Sequence, residues 1–245
     1  MARRILDLIL TLTLGLIAAP FIACGAIAVR LSSPGPAFYC ARRVGRNGAE
    51  FTMYKLRSMH IRSSAGSSIT AANDSRVFAA GRILRALKID ELPQLWNIVR
   101  GDMSIVGPRP EAPDIVQMHY TPEYLKSLQV APGLTSPGSV FYYTHGEQLL
   151  PDGAAEEVYV ERLLPLKMKV DLEYLGRQTV WSDVGVIFTT ASVLVQKSLG
   201  RRSFPLPAIF NKCFAWAEPR NATEPPAKAD SETSTSKNSD HRSAA

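Results

Sequence analysis

The chain has 245 residues, 46% of them hydrophobic, and 28 Lys and Arg against 22 Asp and Glu give a formal net charge of +6. That length buries one substantial core with attachments, and the basic balance suits an anionic membrane surface, a phosphorylated substrate or a nucleic acid without choosing among them. Three scattered cysteines and four histidines without ligand spacing argue against a disulfide framework or a zinc site, and no Walker loop or Gly-x-Gly-x-x-Gly supports a kinase or Rossmann reading.

Residues 5–29 carry a single charge, Asp7. As a helix this stretch would run roughly 37 Å, long enough to span a bilayer. Three readings compete. A signal peptide has its Arg3-Arg4 start, and Phe21-Ile22-Ala23-Cys24 faintly resembles a lipoprotein cleavage box, in which Phe21 fits badly. A spanning anchor would need one end outside, yet both flanks are basic: Arg3 and Arg4 before it, Arg30, Arg42, Arg43 and Arg46 after it. A re-entrant hairpin that enters one leaflet, breaks at Pro20 and leaves on the same side keeps both flanks together, and is favoured.

Beyond the turn-rich Ser33-Pro34-Gly35-Pro36, residues 38–44 and 50–56 flank Asn47-Gly48 and predict a β-hairpin. Lys55 and Arg57, two apart, are expected on one face of its second strand. Residues 62–76 read as a mobile surface loop, and residues 81–88 as a short helix with Ile83, Leu84 and Leu87 inward. Arg85 on that helix suits either a phosphate or a basic interfacial face.

Next comes Ile89-Asp90-Glu91-Leu92-Pro93-Gln94-Leu95-Trp96-Asn97, in which Leu92, Leu95, Trp96 and Val99 recur at helical spacing, with Asp90 at the expected N-cap and Gly101 at the expected stop. An anion at a helix start stays ionised, so Asp90 suits a nucleophile and Glu91 a divalent-cation ligand. Spacing alone favours a plainer account, a capped core helix with an acidic first turn. Gly107-Pro108-Arg109-Pro110 fixes the backbone on both sides of one guanidinium, which suits bidentate binding of a phosphate or carboxylate. Asp102 fits a supporting acid or a turn residue equally.

Asp-Glu-Leu-Pro-Gln-Leu-Trp-Asn, then Gly101-Asp102-Met103-Ser104, then Gly107-Pro108-Arg109-Pro110 resembles the signature of the bacterial sugar transferases, monotopic phosphoglycosyl transferases that start glycan assembly on a polyprenol phosphate. The resemblance runs from about Ile5 to about Thr190 and extends to Pro132-Gly133-Leu134-Thr135. It implies that Asp90 and Glu91 form the catalytic dyad, that Mg2+ is required and held by Glu91 and Asp90, and that the amino-terminal helix is re-entrant. Beside that dyad, Arg109 is expected to bind phosphate, with Arg85 and Lys55 as further cations. Three departures stand out: Ala19 precedes Pro20 where serine is common, Ala131 replaces a basic residue, and Tyr142-Tyr143-Thr144-His145 stands where many members carry Gly-Arg-Asn. The last weakens any transfer of phosphate-binding arginines to that loop. Tyr143 and His145 are weak site candidates.

Residues 156–175 predict a helix interrupted near Pro165, and Trp181-Ser182-Asp183 opens an apolar helix to about Val195 that is too short to span. Residues 201–216 mix basic and aromatic side chains as a surface-lying segment would, and residues 218–245 have the composition of a disordered tail.

The expected architecture is therefore a mixed, helix-rich α/β membrane-associated catalytic domain. Residues 1–30 form the membrane helix, 31–217 the catalytic domain with interfacial amphipathic helices, and 218–245 the tail. As the resemblance implies, it would work on the cytoplasmic face of a bacterial inner membrane, transferring sugar 1-phosphate from a UDP-sugar to polyprenol (undecaprenyl) phosphate through an aspartyl-phosphosugar intermediate and releasing UMP. Its partners would be those two substrates and the membrane, with no nucleic acid and with room for a homo-oligomer. The rival readings are a basic membrane-anchored scaffold or nucleic-acid-binding module that keeps a degenerate transferase fold, and a conventional glycosyltransferase that releases UDP.

Overall fold

A computed structural model describes residues 2–61, 74–150, 155–201 and 203–205. The segments read as a mobile loop (62–76), a basic-aromatic segment (201–216) and a tail (218–245) fall wholly or mostly outside them. Helix α1 (Ala2–Ser32) leads into the hairpin β1 (Phe38–Val44) and β2 (Glu50–Leu56). Then come α2 (Ala79–Ala86), a 3-10 turn over Ile89–Glu91, α3 (Gln94–Arg100), β3 (Ser104–Val106) and α4 (Pro113–His119). β4 (Gly133–Thr135), α5 (Pro137–Thr144), α6 (Ala155–Val158), α7 (Leu164–Leu175) and α8 (Val180–Ser198) complete the order. The sheets are small: β1 pairs antiparallel with β2, and β3 pairs parallel with β4. The expected mixed, helix-rich α/β character holds.

The hairpin forms as its turn chemistry dictates, with Asn47 (φ 57) and Gly48 (φ 78) in the left-handed region that Asn-Gly tolerates. Pro165 sits in the first turn of α7, and the helical run before it loosens into a π turn over Tyr159–Leu163, because proline has no N–H to give and crowds the carbonyl four residues back. α8 is fixed by a reciprocal cap between Thr179 and Ser182.

Helix α1 continues through Pro20 without interruption, so the break expected there does not appear as a loss of helical structure. Proline costs one bond, to the carbonyl of Leu16. In apolar surroundings every other backbone group still needs its helical partner. One face of α1, carrying Asp7, Thr11, Ala18, Gly25 and Val29, is buried against the rest of the chain, while Ile5, Ile9, Leu12, Leu16, Ile17, Phe21, Ile27 and Leu31 are exposed. It is the one helix among the described residues long and apolar enough to cross a membrane.

Both ends of α1 are tied down. Near its start, Arg3 Nε donates to Asp183 Oδ2 at 2.8 Å, and Arg4 donates to the carbonyls of Ile98 (2.5 Å) and Val99 (2.9 Å) at the carboxy-terminal end of α3. There the cation meets the negative pole of the helix. Buried Asp7 accepts from Ser104 Oγ (2.8 Å) and the Ile105 amide (3.1 Å). Near its end, a Cβ on Gly25 would lie 2.6 Å from Leu56, and Val29 joins Leu56, Phe78 and Leu84 in a core cluster.

Arg57 is not on the Lys55 face as expected. It follows the last residue of β2, and its guanidinium donates to Ser33 Oγ (2.8 Å), Ser33 O (2.7 Å) and Pro36 O (2.7 Å), bracing the exit from α1. On α2, Leu84 is buried but Ile83 and Leu87 are exposed, contrary to the expected inward stripe. α2 has only two turns and lies against α1, so one residue per turn suffices to cover the contact.

Asp171 on α7 is buried, where it accepts from the Gly138 amide at the start of α5 (2.8 Å) and from Ser136 Oγ (3.0 Å). Burial outweighs these bonds and raises its pKa from 3.8 to about 6. The folded state thus holds the proton more tightly than the unfolded chain. This contribution to stability is complete below pH 4 and lost as pH rises through 6, a difference of roughly 3 kcal/mol. Asp171→Asn should therefore gain on wild type in thermal unfolding between pH 4.5 and 7.5. Parallel pH profiles for the two proteins would refute this.

Candidate active site

The acidic pair does not cap α3. α3 begins at Gln94 after Pro93, without a side-chain cap, and Asp90 and Glu91 lie before it in the 3-10 turn. Lys88 opens that turn with φ 55, and Gly101 closes α3 with φ 93, the expected stop. The helix is locked by Asn97, which is fully buried: its Oδ1 accepts from the Tyr54 amide (3.1 Å), and its Nδ2 donates to Thr52 O (2.7 Å) and Asp102 Oδ2 (3.2 Å). Asn97 thus clamps β2 to α3 and delivers Lys55 to the acids. Asp102 serves this clamp rather than the site.

Arg109 reaches the same place from the other side. Gly107 and Gly133 touch backbone to backbone, where a Cβ on Gly133 would come within 2.1 Å of the Gly107 nitrogen. The Gly107 amide donates to Thr135 O (3.0 Å), and the Gly133 amide to Pro108 O (2.9 Å). The Pro-Gly-Leu-Thr segment is therefore the strap that holds Pro108-Arg109-Pro110. Below it, Glu111 accepts from Lys167 Nζ (2.9 Å) and from Tyr159 Oη, a buried cluster that fixes the downstream end of the loop.

These supports bring Glu91 among three cations. Arg109 binds it with two hydrogen bonds, Nη1 to Oε2 at 3.0 Å and Nη2 to Oε1 at 2.6 Å. Lys55 Nζ stands 3.5 Å from Oε1, and Lys88 Nζ 3.8 Å. Burial opposes ionisation of Glu91, but Arg109, then Lys55 and Lys88, overcome it and hold the carboxyl well below the usual range. Asp90 differs. It is buried, its Oδ1 has no hydrogen-bond partner among the described residues, and burial together with the Glu91 charge pushes its pKa up. Two adjacent carboxylates thus receive opposite shifts: Glu91 is a fixed anion, and Asp90 a more basic carboxylate with a free lone pair. Arg85, on the last turn of α2, acts on Asp90 through its charge. Burial lowers the Lys55 ammonium to about 8, against the pull of Glu91.

Among the described residues no group of three or more His, Cys, Asp or Glu could hold a metal ion. Asp90 still fits one, and Glu91 would join it through lone pairs left over by its two bonds to Arg109. Mg2+ is commonly held by one or two carboxylates with the remaining oxygens supplied by substrate phosphate and water, and Asp90 Oδ1 offers an unused acceptor.

Residues 1–197 match the family described as bacterial sugar transferase. The chain belongs to that family. A UDP-glucose:undecaprenyl-phosphate glucose-1-phosphate transferase of Caulobacter vibrioides is 37% identical over 197 residues, covering 79% of this chain and 69% of that protein. A protein of the same description from Escherichia coli is 33% identical over 192 residues, covering 77% of this chain and 39% of that one. An Aeromonas hydrophila UDP-N-acetylgalactosamine-undecaprenyl-phosphate N-acetylgalactosaminephosphotransferase is 32% identical over 180 residues, 72% of this chain and 40% of that protein. The matched stretch is thus about two-thirds of the first relative and about two-fifths of the other two.

Of the residues expected at the site, Asp90, Glu91, Lys55 and Arg109 converge, and the charge of Arg85 is felt at Asp90. Two features escaped the sequence reading: the Lys88 ammonium beside Glu91, and the Glu111–Tyr159–Lys167 cluster. A third cation two residues before the acidic pair was visible in the sequence. Its left-handed backbone was not.

Proposed function

We propose that the chain is a phosphoglycosyl transferase moving sugar 1-phosphate from a UDP-sugar to a polyprenol phosphate, with undecaprenyl phosphate as the carrier. The observation that carries this reading is the unpartnered oxygen of buried Asp90 beside a Glu91 carboxylate ringed by Arg109, Lys55 and Lys88. In this reading Asp90 attacks the phosphorus bound to the sugar, an aspartyl-phosphosugar bond forms, and the bond to UMP breaks. The lipid phosphate oxygen then attacks the same phosphorus and frees Asp90, giving ping-pong kinetics. Arg109 and Lys55 orient the donor phosphates and offset their charge. Mg2+, held by Glu91 and Asp90, would supply further charge neutralisation on the phosphates.

The attachment of both ends of α1 to the same folded unit supports a monotopic placement, with the helix in one leaflet and both termini on one face. A spanning helix would carry one of those ends through the bilayer. The exposed stripe Trp181, Phe188 and Val195 on α8 suits the same interface. The relatives' substrates are a guide to the cytoplasmic face of the inner membrane, where nucleotide sugars reside.

The test is nucleotide release from a panel of UDP-sugars, with UDP-glucose, UDP-galactose and UDP-N-acetylgalactosamine first, in membranes supplied with undecaprenyl phosphate and Mg2+. UMP release that requires lipid and metal is the expected result. UDP in its place would overturn the covalent scheme.

A further inference from the structure

The reaction outlined above gives Lys88 no task beyond balancing Glu91, yet Lys88 is one of only two non-glycine residues at positive φ among the described residues. The other, Asn47, occupies an Asn-Gly hairpin turn where that conformation is common. Lysine has no such excuse. A glycine would hold φ 55 at less cost, so the lysine found there points to a use of its side chain.

The ammonium occupies an unusual position. It stands 3.8 Å from Glu91 Oε1 on one side and 3.6 Å from Glu147 Oε1 on the other, beyond good hydrogen-bond length to either. The ring of Tyr143 lies beneath it, 4.4 Å from centroid to nitrogen. That ring is itself fixed. Tyr143 Oη donates to Ala86 O at 3.1 Å, and Lys197 Nζ donates to Tyr143 O at 2.7 Å and approaches the same ring centroid at 3.4 Å. Lys197 also donates to Glu147 Oε2 at 3.2 Å, so Glu147 bridges two ammonium groups. Lys88 is therefore a partly exposed cation shared between an acid of the dyad and an acid outside it, at hydrogen-bond length from neither. A phosphate oxygen arriving beside Glu91 offers more charge than Glu147 does.

We infer that Lys88 is a donor-binding residue: its ammonium takes the diphosphate of the nucleotide sugar alongside Arg109 and Lys55, and Glu147 with the Tyr143 ring holds it at the edge of the site until the donor arrives. This rests on the transferase reading above. The competing role is structural, a charge that merely balances Glu91.

The two roles separate in steady-state kinetics of the full chain in native membranes, with donor and polyprenol phosphate each varied. In a ping-pong scheme kcat/KM for the donor reports the first half-reaction and kcat/KM for the lipid the second. Lys88→Gly removes the ammonium while relieving the backbone. It should unfold at the wild-type temperature or above, lose about 10- to 100-fold in kcat/KM for the donor, mainly through KM, and keep kcat/KM for the lipid within about two-fold. Lys88→Met, which leaves the backbone as it is, should lose the same factor for the donor. Lys88→Arg should recover most of it. Unchanged donor kinetics in Lys88→Gly, or equal losses toward donor and lipid, would overturn the inference while leaving the transferase reading intact. A wild-type protein that releases no UMP from any donor would overturn both.

Discussion

Asp90→Asn is expected to release UMP at less than about a thousandth of the wild-type rate while folding normally. The amide cannot form the acyl-phosphate bond, and no other described side chain beside Glu91 is placed to replace it. Glu91 is held as an anion by Arg109, Lys55 and Lys88, with Arg109 occupying both of its oxygens. The folded protein should tolerate the change, because burial and the neighbouring Glu91 already work against a second negative charge. A neutral amide of the same shape removes that opposition, so the unfolding temperature should hold or rise. Mass spectrometry of the intact protein after incubation with donor alone checks the covalent step. Wild type should gain the mass of one sugar phosphate, and Asp90→Asn should gain none. An adduct on the Asn variant, or undiminished turnover, would remove Asp90 from its assigned role.

Arg109→Ala should show the second largest effect, a loss of about 100- to 1000-fold in kcat/KM for the donor. It should carry a structural signature that Asp90→Asn lacks. Glu91 would lose its bidentate partner and keep Lys55 and Lys88 at 3.5 and 3.8 Å, so unfolding should become easier by about 2 kcal/mol. Arg109→Lys should not rescue activity, since one ammonium cannot replace two parallel bonds. Adding Glu91→Gln to Arg109→Ala should recover part of the lost stability, because the stranded charge is gone. A strictly additive double variant in chemical denaturation would show that the pair is not coupled.

Much of this site was legible in the residues. Local chemistry carried the Asn47-Gly48 hairpin, the stop at Gly101 and the loosening before Pro165, since each depends on one residue's own backbone limits. Asp90, Glu91 and Arg109 stood in recognisable strings, and the structure gathers them. What local reading could not give was set by packing between distant segments. Arg57 follows Lys55 by two residues, yet Ser33 and Pro36 capture it because β2 ends one residue earlier. Ile83 and Leu87 looked inward by spacing, but a two-turn helix against α1 buries only Leu84 and Gly81. Asp90 was expected at the cap of α3 and instead sits in the turn before it. Glu111, Tyr159 and Lys167 are separated by as many as 56 residues, and no spacing rule connects them.

The way α1 is built in has a practical and evolutionary meaning. A tether can be cut off or exchanged, but α1 contributes Ala18 and Val29 to the core, and Arg4 and Asp7 to the ends of α3 and β3. Trimming this long apolar helix to ease handling of the protein would take away part of its interior as well. Drift in this apolar helix is likewise restrained by the core it helps to form, so its buried face should change no faster than the rest of that core.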